Sequence, residues 1–196
     1  DMTPRERAIC ALKLGIPDRV PTFELEFQLE EELVGGHFLH DRDLDGLSKK
    51  EIDVKLHENA ELIVKVYEIL EHDIIPIHYL REEYAFRTMK YIRALTGDKY
   101  LLTAHGDGTY SIPDGNAMYE FAYRLADDYD GVLDEARRRA YDAIERNKRW
   151  FDQGVESFIL CDDYCYNSGP FVSPKMFSEI ITPYLAKIIE EIRRMG

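Results

Sequence analysis

The sequence predicts an α/β fold in which short apolar strands alternate with amphipathic helices. Three observations carry that reading. Compact apolar runs, rich in β-branched residues, recur along the chain. The longer segments between them repeat their apolar residues at steps of three and four, the spacing of one helix face. Each run also ends in a cluster of polar residues or glycine that breaks the regular pattern. Strand and helix in alternation imply a parallel sheet with right-handed crossovers.

Taken in order, the chain opens with Thr3-Pro4-Arg5-Glu6. Thr3 is suited to cap a helix, Pro4 occupies a first turn that needs no N–H, and Glu6 can reach back to the cap. The helix is predicted to run to about Gly15. Pro17-Asp18-Arg19 then breaks the chain, and Val20 to Leu25 reads as the first strand, with Glu24 and Glu26 at its far end. Residues 27 to 50 are acidic, then rich in Gly, His and Asp, and predict only a helix start and a loop. From Ile52 to Leu70, the residues Ile52, Leu56, Ala60, Ile63, Val66, Tyr67 and Leu70 fall on one face of a helix. Asp73 to Tyr79 reads as a buried strand ending in polar groups.

A helix over Glu82 to Leu95 stops at Thr96-Gly97-Asp98, and the strand Tyr100 to Ala104 enters the turn His105-Gly106-Asp107-Gly108. One or two helices fill 115 to 152. The strand Val155 to Leu160 leads into a polar loop from Cys161 to Gly169, and Ser173-Pro174 starts a last helix, striped with Ile and Tyr and kinked at Pro183. Together these make four βα units, in either a doubly wound sheet or a barrel. No Gly-rich phosphate loop follows the first strand, which weighs against nucleotide binding.

Composition bounds the function. With 196 residues, 45% of them hydrophobic, the chain suits one domain or part of a larger one. Its apolar runs fall far short of the ~20 residues that span a bilayer, and the start DMTPRERA has no secretion-signal stretch. A net charge of −13 disfavours nucleic acid and anionic membranes as partners. Three cysteines, Cys10, Cys161 and Cys165, make no disulfide framework and suit a reducing compartment, so a cytoplasmic protein is expected.

In parallel α/β folds, chemistry sits beyond the carboxyl ends of the strands. The residues there are Glu24, His78, His105, Asp107, Asp162, Asp163, Tyr164 and Asn167. His105 and Asp107 have a spacing that suits a metal or an acid/base pair, although Asp in a Gly-Asp-Gly turn also serves turn geometry. Asp162 and Asp163 could supply a base, a ligand or a substrate anchor, or simply cap the loop. Consecutive residues leave a strand in opposite directions, so one of the pair faces the pocket, and Asp163 is favoured. His78, on an apolar strand, could equally be a satisfied rim residue. Cys161 and Cys165 do not match paired zinc thiolates, and packing is the role read for both. We assign Asp163, Tyr164 and His105 as catalytic, and Glu24, His78, Asp107, Asp162 and Asn167 as substrate-binding.

The segment Asp162-Asp-Tyr-Cys-Tyr-Asn-Ser-Gly-Pro-Phe-Val-Ser-Pro-Lys-Met-Phe-Ser-Glu-Ile-Ile-Thr-Pro-Tyr184, with Thr3-Pro-Arg-Glu-Arg7 and Pro17-Asp-Arg-Val-Pro21, resembles the uroporphyrinogen decarboxylase and corrinoid-dependent methyltransferase superfamily. The resemblance implies a (β/α)8 TIM barrel, with residues 1–196 as its N-terminal half and strand five expected after Gly196. The decarboxylases carry Arg-Gln-Ala-Gly-Arg-Tyr after strand one and Phe-Ser-Asp after strand two. This chain has Phe23-Glu-Leu-Glu-Phe-Gln28 and His78-Tyr79-Leu80 there, which favours the methyltransferase branch. Methyl transfer involving a corrinoid carrier is therefore the first expectation, a tetrapyrrole decarboxylase the second, and a non-catalytic module binding a tetrapyrrole-like ligand or a partner the third. Zinc and a corrinoid are the implied cofactors, with the branch's His-x-Cys zinc motif on later strands, so metal ligands stay unassigned here. The implied partners are a small-molecule substrate, a corrinoid protein, and a C-terminal half or a second copy of the chain.

Overall fold

The structure, a computed structural model, describes residues 1–196. Its contacts fall into two units: Asp1–Ala104 with Gln153–Ser157, and His105–Asp152 with Phe158–Gly196.

In the first unit, helix α1 spans Pro4–Leu12 and begins as its sequence requires. The Thr3 hydroxyl accepts the Glu6 N–H at 3.2 Å, and the Glu6 carboxylate accepts the Thr3 N–H at 2.8 Å. A short helix α2 (Glu30–Val34) and a 3-10 turn (Asp41–Leu44) occupy the acidic stretch. Helix α3 (Lys49–Ile69) starts at a second reciprocal cap, Ser48 with Glu51, and buries Ile52, Leu56, Ala60, Val66 and Tyr67. Strand β1 (Ile74–Pro76), helix α4 (Glu82–Thr96) and strand β2 (Leu101–His105) follow. β1 pairs parallel to β2, with Ile75 opposite Leu102.

A buried ion cluster ties the start of the chain to β1. Asp73 is fully buried and receives Arg7 Nη1 at 2.5 Å, Arg19 Nη2 at 3.1 Å and the Thr22 N–H at 2.8 Å. Arg7 also holds Asp18 at 2.5 Å, and this hydrogen bond keeps the Asp18 carboxyl far below the usual carboxylate range.

The third strand, β3 (Ser157–Ile159), completes the sheet order β1-β2-β3. In the first unit the Glu156 N–H donates to the Leu102 carbonyl at 3.0 Å, and in the second the Gly106 N–H donates to the Ile159 carbonyl at 2.8 Å.

The barrel expectation is overturned, because no barrel closes. The sheets are three short parallel strands and a two-stranded antiparallel ribbon. The predicted first strand, Val20 to Leu25, does not form. Pro21 has no N–H for a ladder, and Val20 and Phe23 are 78% and 40% exposed, so the run lacks the burial that would hold it in a sheet. Only the Asp73 N–H reaches the Thr22 carbonyl, at 2.8 Å. Strands lie about 4.8 Å apart, so three of them form an open sheet that cannot curve round to meet itself.

The second unit is built on helix α6 (Tyr129–Asp152), with α5 (Ala117–Asp127) before it and α7 (Pro174–Ile180) and α8 (Thr182–Met195) after the ribbon β4 (Cys165–Tyr166) and β5 (Gly169–Pro170). One face of α6 is small and apolar: Val132, Ala136, Ala140, Ala143 and Ile144 are buried. Ala140, Ala143 and Ile144 pack with Ile188 of α8, and Val132 and Ala136 cluster with Tyr110, Phe121, Ile180 and Ile181. The expected kink is a full break at Ile181, and Pro183 falls in the first turn of α8, where no N–H is needed. No helix is long and apolar enough to cross a membrane.

Candidate metal centre

The centre lies in the second unit, on two loops that leave the carboxyl ends of β2 and β3. His105 ends β2, Asp107 follows it by two residues, and Cys161 follows β3. His105 Nδ1 lies 3.2 Å from Asp107 Oδ2 and 3.1 Å from Cys161 Sγ, and Sγ is 3.5 Å from the same Asp107 oxygen. The three ligand atoms all fall within 4.8 Å of one another.

These distances can be tested against metal geometry. Tetrahedral zinc, with bonds of about 2.0–2.1 Å to N and O and about 2.3 Å to S, spaces its ligands about 3.3–3.6 Å apart. The N–O edge of 3.2 Å and the S–O edge of 3.5 Å lie within about 0.2 Å of the values zinc would set, and the N–S edge of 3.1 Å is about 0.5 Å shorter than its ~3.6 Å. The donor set of one thiolate, one imidazole and one carboxylate suits zinc, and three protein ligands leave a fourth position open, as catalytic zinc sites do. Two anionic ligands would also balance the charge of a divalent ion.

The Asp107 carboxylate is held by hydrogen bonds. Burial alone would raise the Asp107 pKa. Hydrogen bonds from His105 and from the Cys161 backbone and thiol, with the charge of His105, outweigh that and hold it below the ordinary carboxylate value. The Cys161 N–H takes Asp107 Oδ1, leaving Oδ2 turned toward His105 and the thiol.

The local sequence seats the loop. A Cβ on Gly106 would lie 2.9 Å from Phe158 Cβ, and one on Gly108 would lie 2.2 Å from Ala143 Cβ on α6. Neither glycine has a positive φ. Both are there for close approach, rather than for the turn conformation that the Gly-Asp-Gly pattern suggests.

Beside the centre lies a directed hydrogen-bond chain. Asp162 Oδ2 accepts the Thr109 N–H at 3.1 Å and the Thr109 hydroxyl at 2.7 Å, and Tyr164 Oη is 2.6 Å from Thr109 Oγ1. An ionised carboxylate can only accept, so Thr109 donates to Asp162 and Tyr164 donates to Thr109. The Tyr164 pKa is raised by burial first, against the lowering effect of its hydrogen bond with Thr109, and the Asp162 and Asp107 charges add to the rise. A separate cleft of about 400 Å³ begins at Tyr110, where Arg139 lies 4.6 Å above the Tyr110 ring and Glu135 pairs with Arg124 at 2.6 Å and Arg139 at 2.8 Å.

Of the residues singled out from sequence, His105, Asp107, Asp162 and Tyr164 thus belong to one neighbourhood. The expectation that Asp163 faces inward is corrected: Asp163 is exposed, its carbonyl accepts the Ile112 N–H at 2.8 Å, and Asp162 is the carboxylate bonded inside. Asn167 is exposed at the turn between β4 and β5. Glu24 and His78 belong to the first unit. Glu24 is exposed and its carbonyl accepts the Tyr67 hydroxyl at 3.3 Å, while His78 Nε2 meets the Leu25 carbonyl and lines, with Tyr67 and Tyr79, a cavity of about 20 Å³. Cys161 and Cys165 are exposed, which corrects their reading as packing residues. The signal missed for Cys161 was its place directly after a strand, the position that marked out its neighbours.

Comparison of the chain with protein-family models, with curated proteins and with solved structures returns no match.

Proposed function

We propose that this protein is a metal-dependent enzyme of methyl transfer, with His105, Asp107 and Cys161 holding zinc and a small thiol as the methyl acceptor. The observation that carries the metal part is the single cluster of three unlike donor atoms lying 3.1 to 3.5 Å from one another. The methyl-transfer part rests on the resemblance of residues 162 to 184 to the uroporphyrinogen decarboxylase and corrinoid-dependent methyltransferase superfamily, with the methyltransferase branch favoured because Phe23 to Gln28 and His78 to Leu80 depart from the decarboxylase motifs, and in this reading the corrinoid arrives on a partner protein. A zinc ion held by these residues would supply a Lewis acid that lowers the pKa of a substrate thiol, so that thiolate would be available at neutral pH.

The chain's own groups do the rest. Asp107 stays ionised and presents one oxygen, Cys161 contributes both a sulfur and the N–H that orients Asp107, and His105 contributes Nδ1. Asp162, steadied by Thr109 and Tyr164, offers a fixed acceptor to orient a polar group of the substrate.

Zinc analysis and cobalt(II) titration of the purified chain test the metal site. One ion per chain is expected, with a sulfur-to-cobalt charge-transfer band that Cys161→Ser abolishes. Equal uptake by the parent, His105→Ala and Cys161→Ser would sink the site. Methyl transfer from methylcobalamin to small thiols by the zinc-loaded protein tests the reaction, and a metal-replete protein without turnover would retain the site and discard the reaction.

A further inference from the structure

The apolar stripe of α6 carries one polar residue. After Val132, Ala136, Ala140, Ala143 and Ile144, the next position on that face is Asn147, which is fully buried. A leucine there would simply extend the core. The Asn147 amide instead donates from Nδ2 to the Gly106 carbonyl at 3.1 Å, while its Oδ1 has no hydrogen-bond partner. A buried acceptor without a partner destabilises a fold, so the residue acts against stability at half of its amide and serves the loop with the other half.

Gly106 is the residue between the ligands His105 and Asp107. The neighbouring Arg146 donates from Nη2 to the Asp107 carbonyl. Two consecutive side chains of α6 therefore grip two consecutive carbonyls of the ligand loop. The loop cannot settle elsewhere on the helix, because Gly106 and Gly108 already lie in contact with Phe158, Asn147 and Ala143. We infer that Asn147 and Arg146 are positioning residues of the metal centre, setting the spacing of His105 and Asp107 to each other and to Cys161. This inference rests on the metal reading for its function, but the positioning itself is visible without a metal. The Cys161 N–H bonds to Asp107 Oδ1, so the protection of that amide reports whether Asp107 is held.

The experiment compares the parent chain with Asn147→Leu, which keeps size and removes both polar atoms, and with Arg146→Met. Three quantities are read: the thermal midpoint, hydrogen exchange of the Cys161 amide in metal-free protein, and the affinity and charge-transfer band for cobalt(II). Asn147→Leu is expected to keep its midpoint while Cys161 exchange speeds up, the band shifts and cobalt affinity falls about 10–100-fold, the range seen when groups behind metal ligands are removed. Arg146→Met is expected to move the same readouts in the same direction by a smaller factor. Parental exchange and parental cobalt affinity in Asn147→Leu would overturn the inference; if that variant does not fold, the same result in Arg146→Met overturns it. A parent that takes no cobalt, beside an Asn147→Leu variant that still loses Cys161 protection, would refute the metal reading and leave the positioning standing.

Discussion

One methyl group added at Gly108 measures how firmly the ligand loop is seated on α6. Its Cβ would lie 2.2 Å from Ala143 Cβ, 3.1 Å from Ile188 Cδ1 and 3.2 Å from the Arg139 carbonyl oxygen. Carbon atoms pack at about 3.5–4.0 Å, so loop and helix would have to separate by more than 1 Å. Overpacking a core costs about 1–3 kcal/mol, and here the obstruction is a helix Cβ that cannot rotate away, which places Gly108→Ala near about 3 kcal/mol. For a chain of this size that is a fall in thermal midpoint of about 6–12 °C.

The counter-substitution Ala143→Gly costs about 1 kcal/mol alone, the penalty for glycine within a helix. In the double variant the 2.2 Å overlap disappears and only the two softer contacts remain. Its total cost should be about 2 kcal/mol, against about 4 for simple addition, a coupling of about 2 kcal/mol. Urea unfolding of the four proteins measures the cycle, and cobalt(II) affinity follows Asp107 in the same samples. A Gly108→Ala protein as stable as the parent, or strict additivity with Ala143→Gly, would refute the claim that close approach is why glycine stands there.

Other perturbations probe the remaining networks. Burial would raise the Glu135 carboxyl, but its hydrogen bonds from Arg124 and Arg139 hold it below the ordinary glutamate value. A folded pKa below the unfolded one means stability that is full above about pH 4.5 and is lost as pH falls through the folded value. Urea midpoints of the parent should therefore drop in that acid window relative to those of Glu135→Gln, and parallel pH curves for the two would contradict it. Arg7→Met leaves Asp73 buried with only Arg19 at 3.1 Å and backbone donors, and should cost about 3 kcal/mol, the low end for a broken buried pair. Adding Asp73→Asn should recover part of that loss in a denaturation series, and a further loss would count against the pairing.

Much of the local structure was legible because its causes are local. Thr3 with Glu6 and Ser173 before Pro174 each announce a helix start within four residues, and the helices begin there, whereas apolar periodicity predicts α3 only from Ile52 and the Ser48 cap starts it at Lys49. The strands at 74–76 and 157–159 fall inside apolar runs bounded by polar breaks, and the strand at 101–105 follows the run from Tyr100 to Ala104 and takes in His105, where the sequence predicts the start of the turn. Val20 to Leu25 has the same composition and is no strand, because composition says what a run could pair with and only the surrounding fold says whether a partner is offered. The ribbon at Cys165–Tyr166 and Gly169–Pro170 was missed for the converse reason, since two residues a side carry no periodicity to detect.

The site divides along the same line. Sequence alone determined that His105 and Asp107 stand two residues apart in a turn after an apolar run, at a spacing that suits a metal or an acid/base pair, and that polar groups follow the strands, since these are matters of chain order over a few residues. Tertiary structure decided that Cys161, 56 positions from His105, completes the cluster. It also decided that Asp162 and not Asp163 turns inward, and that a buried Asn147 grips Gly106 from behind. Each of these depends on which backbone approaches which at van der Waals distance, and that is set by close packing across the whole unit.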